Sequence, residues 1–560
     1  MAITADEVKS TLSLIEDTRL PHPSGPLLKS YVQEALNPLL AARYVKNRLE
    51  FGEGSSLVAD WYYIIESITQ NGCPPPQPDT TEQQDIIKRD GGKCCVTGKA
   101  GTLYDPLIVA PILPVPYGWN AEKRPSVQDM LGAFFGPPYW AWWLSYVKSP
   151  RDVTTPYHNH WLIRMSAARA FASGLIRLNR SHSSLIEYEL KHVEVGLEEP
   201  IEVDGMYPLL GDHSRSHIVN VDPRFVGSHA RLCESIQLVN ISKKLSHKKQ
   251  SSTSFIGLRR QNSLGFSNLW KGAFFTVWRW LPSKFRMICY EMLQRIGERL
   301  YGMPWYDGTD TVQRLPFGLY LKHYRGSADL ARNEFNALRM VHRHTAIPVP
   351  EALDVVFEQE YSNNPLSFSG PTAYLLMTRV PGFPLWRCQN VLSESDLERI
   401  ANQLKNYIAQ LRNIPRCPKS DFPICNTLGE ACRDYRIRHA DPVGPFADEA
   451  EFSQVLRYSD DPARRGHNIF FTHADLNARN ILADKTVHSD GTVTWNVSAI
   501  VDWETAGYYP EYWEYTKAMQ EGFRWSRRHN DMIHKVFSEF GDYSKEMNVE
   551  LEAWASKDAI

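Results

Sequence analysis

The sequence predicts an α+β chain in which a separate α+β N-terminal domain precedes a C-terminal half made of a small β-rich part and a larger helical part. Three observations lead there. Apolar residues recur at i, i+3 and i+4 over several stretches, the mark of amphipathic helices. Short β-branched or aromatic runs, such as Ala499-Ile500-Val501, stand between turn residues and read as strands. A stretch rich in Ser, Lys and Arg, 241–262, divides the two halves like a linker. The expected boundaries are a helical segment over 1–82, an α+β domain over 83–235, a basic linker over 236–265, a β-rich lobe over 266–380 and a helical lobe over 381–560.

In chain order, 27–50 and 56–70 read as helices, ended by Gly72-Cys73-Pro74-Pro75-Pro76. A loop-and-strand region starts at Arg89. Met130 to Val147 holds no charged residue, but Gly136-Pro137-Pro138 would break a spanning helix, so it reads as a buried aromatic segment. From 241 to 300 there are 12 Lys/Arg against Glu291 and Glu298, read as a solvated linker and a basic helix face, or as a patch for an anionic partner. Arg259-Arg260-Gln261-Asn262-Ser263 has the form of a basophilic phosphorylation site. A helix over 283–300, a strand over 312–322, a helix over 328–343 and a strand over 373–377 come next, and then a mostly helical pattern.

Composition sets bounds. The 560 residues allow roughly three to four domains, and two large ones would also fit. With 43% hydrophobic and 22% charged residues the mixture is globular, not disordered. Lys and Arg number 62 against 64 acids, so a globally basic nucleic-acid binder is not expected. Nine scattered cysteines form no CxxC pair, which signals neither a disulfide framework nor a zinc ribbon. The N-terminus lacks a basic segment followed by an apolar one. A reducing, cytoplasmic setting is expected, with a nuclear one allowed and no membrane partner.

The chemistry concentrates in Phe470-Phe471-Thr472-His473-Ala474-Asp475-Leu476-Asn477-Ala478-Arg479-Asn480-Ile481-Leu482, where polar groups sit at fixed offsets between two apolar runs. Asp502-Trp503-Glu504 closes a strand about twenty residues on, and Ser489-Asp490-Gly491 between them is a hairpin signal that returns Asp502 beside Asn480. One carboxylate and one amide then converge next to Asp475, hard oxygens suited to Mg²⁺ shared with substrate phosphates. Upstream, Lys322 ends an apolar strand and Glu334 in the next helix can fix its direction. Lys, Glu, Asp, Asn and Asp in that order are the parts of phosphoryl transfer.

Residues 312–520 resemble the aminoglycoside phosphotransferase/choline kinase-type family, whose fold is a bilobal protein-kinase-like one, with a close likeness to its fungal branch over Asp502 to Tyr515. The resemblance implies Asp475 as catalytic base, His473 as brace of the same loop, Asn480 and Asp502 as Mg²⁺ ligands, Lys322 on the ATP phosphates and Glu334 as its ion-pair partner. Met377 and Thr378 would open the hinge beside adenine, running to Val380, and Glu504 could support the metal site. Two features depart from the pattern. No GxGxxG precedes Lys322, so a turn near Asp307-Gly308-Thr309 must cover the phosphates. No Ala-Pro-Glu comes after Asp502, which favours a small-molecule hydroxyl as acceptor over a protein. A catalytically inactive kinase-fold binding or regulatory protein is the alternative. Acidic residues Asp434, Asp448, Glu449 and Glu451, which could face a cationic acceptor, read as solvated surface.

Residues 85–180 resemble, more weakly, a fungal HNH-endonuclease-type domain, through Arg89 to Gly98, Val109 to Pro114, Asn159 and Ala168-Arg169-Ala170-Phe171. That family has a histidine where this chain has Pro111 and another at Ala168, so nuclease activity is not expected. The literal string His158-Asn159-His160 is read as coincidence.

Overall fold

In the computed structural model the described residues are 2–69, 77–113, 124–148, 154–181, 187–198, 208, 210–250, 275–302, 305–307, 310–357, 372–416, 420–434, 441–457, 461–488 and 492–556. The chain forms two compact units, Met1–Ser251 and Ser252–Ile560. Among the described residues no helix is long and apolar enough to cross a membrane, and the seven cysteines found there are free.

The first unit opens with helices α1 (Ala2–Asp17), α2 (Ser24–Glu34), α3 (Pro38–Glu50), α4 (Gly54–Thr69) and α5 (Thr80–Arg89). The helix expected over 27–50 is two helices. Asn37 accepts a hydrogen bond from the Leu40 amide (3.2 Å), and Pro38 occupies the first turn, where its missing N–H costs nothing. Strand β1 (Leu107–Pro111) leads to α6 (Pro125–Phe135) and α7 (Pro137–Lys148), which part at Gly136 with φ +76°. Strand β2 (His160–Arg164) pairs antiparallel with β1. After it come α8 (Met165–Ala172), the hairpin β3 (Ile176–Arg180) and β4 (Tyr188–His192), and α9 (Pro223–Gln250).

Helix α9 corrects two boundaries. Residues 236–250, expected as linker, continue this helix, because Ile236, Leu238, Val239 and Ile241 are buried. Only the remainder of that stretch, including Arg259 to Ser263, lies outside the described residues. The same helix ties the segment 1–82 to the α+β region of the unit: Ser235 Oγ lies 2.7 Å from Ser30 Oγ and accepts from Trp61 Nε1 at 3.0 Å. The two regions share one core. Of the literal His-Asn-His string, Asn159 is buried and bonds the Leu113 backbone and the Tyr146 hydroxyl, and His160 is buried with Nδ1 3.0 Å from Pro156 O. Pro111 faces His160 across the β1–β2 pair, and Ala168 lies in α8.

In the second unit α10 (Ser283–Tyr301) packs on a five-stranded antiparallel sheet of order β5-β6-β7-β9-β8. Its strands are β5 (Trp305–Asp307), β6 (Asp310–Leu315), β7 (Leu319–Tyr324), β8 (Ala352–Phe357) and β9 (Ala373–Thr378), with α11 (Ala328–His344) between β7 and β8. The single strand expected over 312–322 is a hairpin, because Pro316-Phe317-Gly318 turns with Phe317 at φ +64° and Pro cannot supply a ladder N–H. Alternation along β7 sends Leu321 into the core with Met287, Leu315, Leu353 and Leu376, and Lys322 to the opposite face. Buried Asp354 of β8 takes both Arg286 (2.5 and 2.6 Å) and Tyr290 (2.5 Å) from α10.

The rest is helical around two small sheets. Strand β10 (Phe383–Pro384) precedes α12 (Glu394–Arg412), whose Ser393–Asp396 capping box fixes its start. Then come β11 (Cys425–Asn426), α13 (Glu449–Arg457), β12 (Ile469–Thr472), β13 (Ile481–Val487), β14 (Val493–Ile500), β15 (Gly507–Pro510), α14 (Trp513–Gln520), α15 (Arg527–Phe537) and α16 (Ser544–Ser556). The sheets run β10-β13-β14 and β11-β15-β12.

Asp354→Ala leaves the Arg286 guanidinium buried without its carboxylate, at a cost of about 3–5 kcal/mol. We expect urea denaturation to show that loss, and Asp354→Leu combined with Arg286→Met to recover most of it. An Asp354→Ala variant as stable as the parent would contradict this packing.

Candidate functional site

The apolar strand β12 delivers the polar loop His473–Asn480. His473 is fully buried and both ring nitrogens meet backbone: Nε2–H donates to Val501 O (2.9 Å) and Nδ1 accepts from the Asp475 amide (3.1 Å). These contacts make the ring a brace of the loop. Ala474 holds φ +63°, a left-handed conformation costing about 1–2 kcal/mol for a residue with a Cβ. The buried Glu514 carboxylate of α14 offsets that cost, accepting from the amides of His473 (2.6 Å), Ala474 (3.0 Å) and Leu476 (3.1 Å).

The hairpin β13–β14 then returns the chain. Ile481 pairs with Ile500, and the Val501 amide donates to Asn480 O at 3.0 Å. Asn480 spends both amide hydrogens on Asp475, on its backbone oxygen (2.9 Å) and its Oδ2 (2.8 Å), so a cation would meet its amide oxygen. Ser489-Asp490-Gly491, expected as the hairpin turn, lies outside the described residues.

Asp502 comes just after β14 with φ +67°. Trp503, fully buried, pins this turn: its indole N–H donates to Ile500 O (2.9 Å), its ring packs on His473 at 4.5 Å between centroids, and its amide donates to Glu334 Oε1 (3.1 Å). Lys322 enters from β7. Its ammonium lies 2.5 Å from Asp502 Oδ1, 2.7 Å from Glu504 Oε2 and 3.2 Å from Glu334 Oε2. Tyr324, on the same face of β7, donates its hydroxyl to Glu334. Glu334 occupies a buried position of α11 beside Leu330, Ala331, Ala337 and Leu338, a carboxylate where the helical period calls for an apolar residue.

Charge and burial compete here. Burial would lower the Lys322 pKa, but three carboxylates hold it well above the ordinary lysine value. Burial pushes Glu504 up to about 8 despite Lys322. Burial also works against Asp502, but the Lys322 charge and hydrogen bond hold its carboxyl below the usual range. Asp475 is raised to about 6, by burial first, against the pull of the Lys517 ammonium. Carboxylate oxygens of Glu334, Asp502 and Glu504 all lie within 4.8 Å of one another. The Lys322 ammonium sits among these oxygens and takes up their charge, which leaves the Asn480 amide oxygen and the second Asp502 oxygen as the hard oxygens toward the loop.

Residues 305–539 match the phosphotransferase enzyme family (APH). This stretch is a phosphotransferase-family domain. It occupies under half of the chain and carries the bilobal protein-kinase-like fold, with the β5–β9 sheet and α11 as the small lobe. No curated protein matches the chain. Among solved structures, a thermostable mutant of aminoglycoside phosphotransferase APH(4)-Ia in its apo form is 15% identical with a TM-score of 0.30, over 44% of this chain and 82% of its own. The GDP and kanamycin complex of an APH(2") enzyme is 14% identical with a TM-score of 0.32, over 48% and 93%.

The phosphotransferase-family domain thus brings Lys322, Glu334, His473, Asp475, Asn480, Asp502 and Glu504 into one neighbourhood. Met377 and Thr378 end β9 apart from that contact network. The Thr378 amide donates to Glu351 O (3.0 Å) and its hydroxyl accepts from the Glu351 amide (2.8 Å). Gly308 and Thr309, expected to cover phosphates, lie outside the described residues. Two acids expected on the solvated surface are buried instead. Asp434 pairs with Lys517 at 3.2 Å, and Glu449 accepts from the His467 amide at 2.9 Å, whereas Asp448 and Glu451 are exposed. Glu514 and Lys517 both touch the His473–Asn480 loop, and sequence patterns alone do not single them out. Their one signal is two charged residues three apart in an aromatic helix, which places both on one face.

Glu514→Gln removes the charge from a three-amide acceptor and offers one oxygen where two were used. We expect hydrogen exchange at the amides of His473, Ala474 and Leu476 to accelerate roughly tenfold or more, since a charged hydrogen bond contributes about 1.5–3 kcal/mol. Unchanged exchange at these amides would refute Glu514 as the anchor of the loop.

Proposed function

We propose that the C-terminal unit transfers the γ-phosphoryl group of ATP to a hydroxyl of a small molecule, with Mg²⁺ as cofactor. One observation carries this reading: an ammonium from the small-lobe sheet, Lys322, meets Asp502 of the large lobe, with Asp475 and Asn480 on the adjoining loop. Phosphoryl transfer asks for positioning and charge neutralisation, not a covalent intermediate.

Asp475 accepts the hydrogen bond of the acceptor hydroxyl, aims its oxygen at phosphorus and takes its proton as the new O–P bond forms and the bond from the γ-phosphorus to the bridging oxygen breaks, releasing ADP. Asn480 holds Oδ2 of that carboxylate, which keeps the other oxygen toward the acceptor. Lys322 neutralises phosphate oxygens, and Glu334, itself held by the Trp503 amide and the Tyr324 hydroxyl, keeps the lysine pointed into the site. Asp502 and the Asn480 amide oxygen would hold Mg²⁺, which when bound spreads charge off the transferring group. His473 keeps the loop in register through two backbone contacts. The segment after Asp502 passes through Trp503–Ala506 into β15 and α14, which supports a small acceptor over a protein one. The family match supports the phosphotransferase class and leaves the acceptor to experiment.

The test is ATP consumption with a panel of hydroxylated metabolites, comparing wild type with Asp475→Ala and Asp502→Ala. Loss of the base should lower kcat by about 10²–10⁴, and loss of Asp502 should abolish the Mg²⁺ dependence with a comparable drop. Unchanged turnover in both variants would remove the mechanism. Stabilisation by MgATP without turnover on any acceptor would instead identify a binding protein.

A further inference from the structure

We propose that Lys517 is a positioning residue for Asp475, held in place by Asp434, so that a buried Asp434–Lys517–Asp475 chain fixes the orientation of the carboxylate that receives the acceptor proton. This rests on the reading of Asp475 as the base.

Glu514 and Lys517 stand three residues apart on α14, close to one face of the helix. Glu514 grips the backbone of the loop, and Lys517 reaches a side chain of the same loop. The Lys517 ammonium lies 3.2 Å from Asp434 Oδ1 and 3.8 Å from Asp475 Oδ1. The Lys517 side chain is 6% exposed and that of Asp434 is 0% exposed. A buried ammonium costs several kcal/mol unless carboxylates surround it. Asp434 supplies that charge from a separate segment, ahead of α13, and so sets where the ammonium sits.

The two oxygens of Asp475 are thereby distinguished. Oδ2 receives the Asn480 amide at 2.8 Å, while Oδ1 faces Lys517. A hydrogen bond to one oxygen restrains the carboxylate less than contacts at both oxygens do. A positive charge beside the second oxygen narrows its orientation further. At 3.8 Å the contact is electrostatic and leaves lone pairs of Oδ1 open to a hydroxyl. The lysine acts through Asp475, which makes its effect one on turnover and not on nucleotide binding.

The experiment uses the full chain with MgATP alone, water serving as acceptor, and measures kcat and KM for ATP. Lys517→Met should lower kcat roughly 10²-fold, the scale set by misplacing a reacting group, with KM for ATP within twofold of wild type. Lys517→Arg should restore kcat to within tenfold, and Asp434→Asn should fall between. Lys517→Met combined with Asp475→Ala should be no slower than Asp475→Ala alone. An unchanged kcat in Lys517→Met overturns the proposal, as does a double variant slower by the product of the two effects. A parallel rise of KM in Lys517→Met and Lys517→Arg would show a general structural role and also overturns it. If Lys517→Met does not fold, Asp434→Asn and Lys517→Arg decide by the same split between kcat and KM. Should Asp475→Ala hydrolyse MgATP at the wild-type rate, the base assignment itself fails and this proposal falls with it.

Discussion

A lysine ammonium out of water must be neutralised or it will not stay charged. Lys322 meets this demand with three carboxylates from two lobes: Glu334 on the helix beside its own strand, and Asp502 and Glu504 on the far side of the site. The ion cluster is therefore also the joint between lobes. Asn333 reinforces it from the neighbouring position of α11, donating its amide to the carbonyls of Glu504 and Ala506 (both 2.8 Å) and accepting from the Thr427 amide (3.0 Å). The small-lobe helix thus fixes both the partner of the lysine and the backbone of the Asp502 turn. Two non-glycine residues with positive φ, Ala474 and Asp502, flank the cluster, and each is held by a buried side chain, Glu514 for the first and Trp503 for the second.

Much of this is legible in the sequence because the chemistry obeys short-range spacing. The loop His473–Asn480 keeps its polar residues at fixed offsets, and the antiparallel pairing of the neighbouring strands β13 and β14 returns Asp502 to Asn480. Helix α11 is legible from its period, and Glu334 from being charged within it. The hidden part is long-range. Asp434 and Lys517 lie 83 residues apart, and nothing local marks either as buried, so an acid in a polar stretch reads as surface. The single strand expected over 312–322 fails for a different reason: Pro316 and Gly318 announce a turn, but the apolar run across them dominates the pattern.

The N-terminal unit shows the complementary limit. A Lys- and Ser-rich stretch has the composition of a linker, yet four buried apolar residues carry it through 236–241 as part of α9. Polar composition at one end of a helix does not end the helix. In the same unit the literal His-Asn-His string is consumed by structure. Asn159 and His160 satisfy backbone and hydroxyl groups inside the core, so those letters point inward, to packing.

The most direct measurement is a crystal structure with Mg²⁺ and a non-hydrolysable ATP analogue. Phosphate oxygens are expected on the Lys322 ammonium, the metal on Asp502 and Asn480, and Asp475 facing the terminal phosphate. A nucleotide bound elsewhere, with Lys322 still closed on Asp502 and Glu504, would contradict the phosphotransfer mechanism.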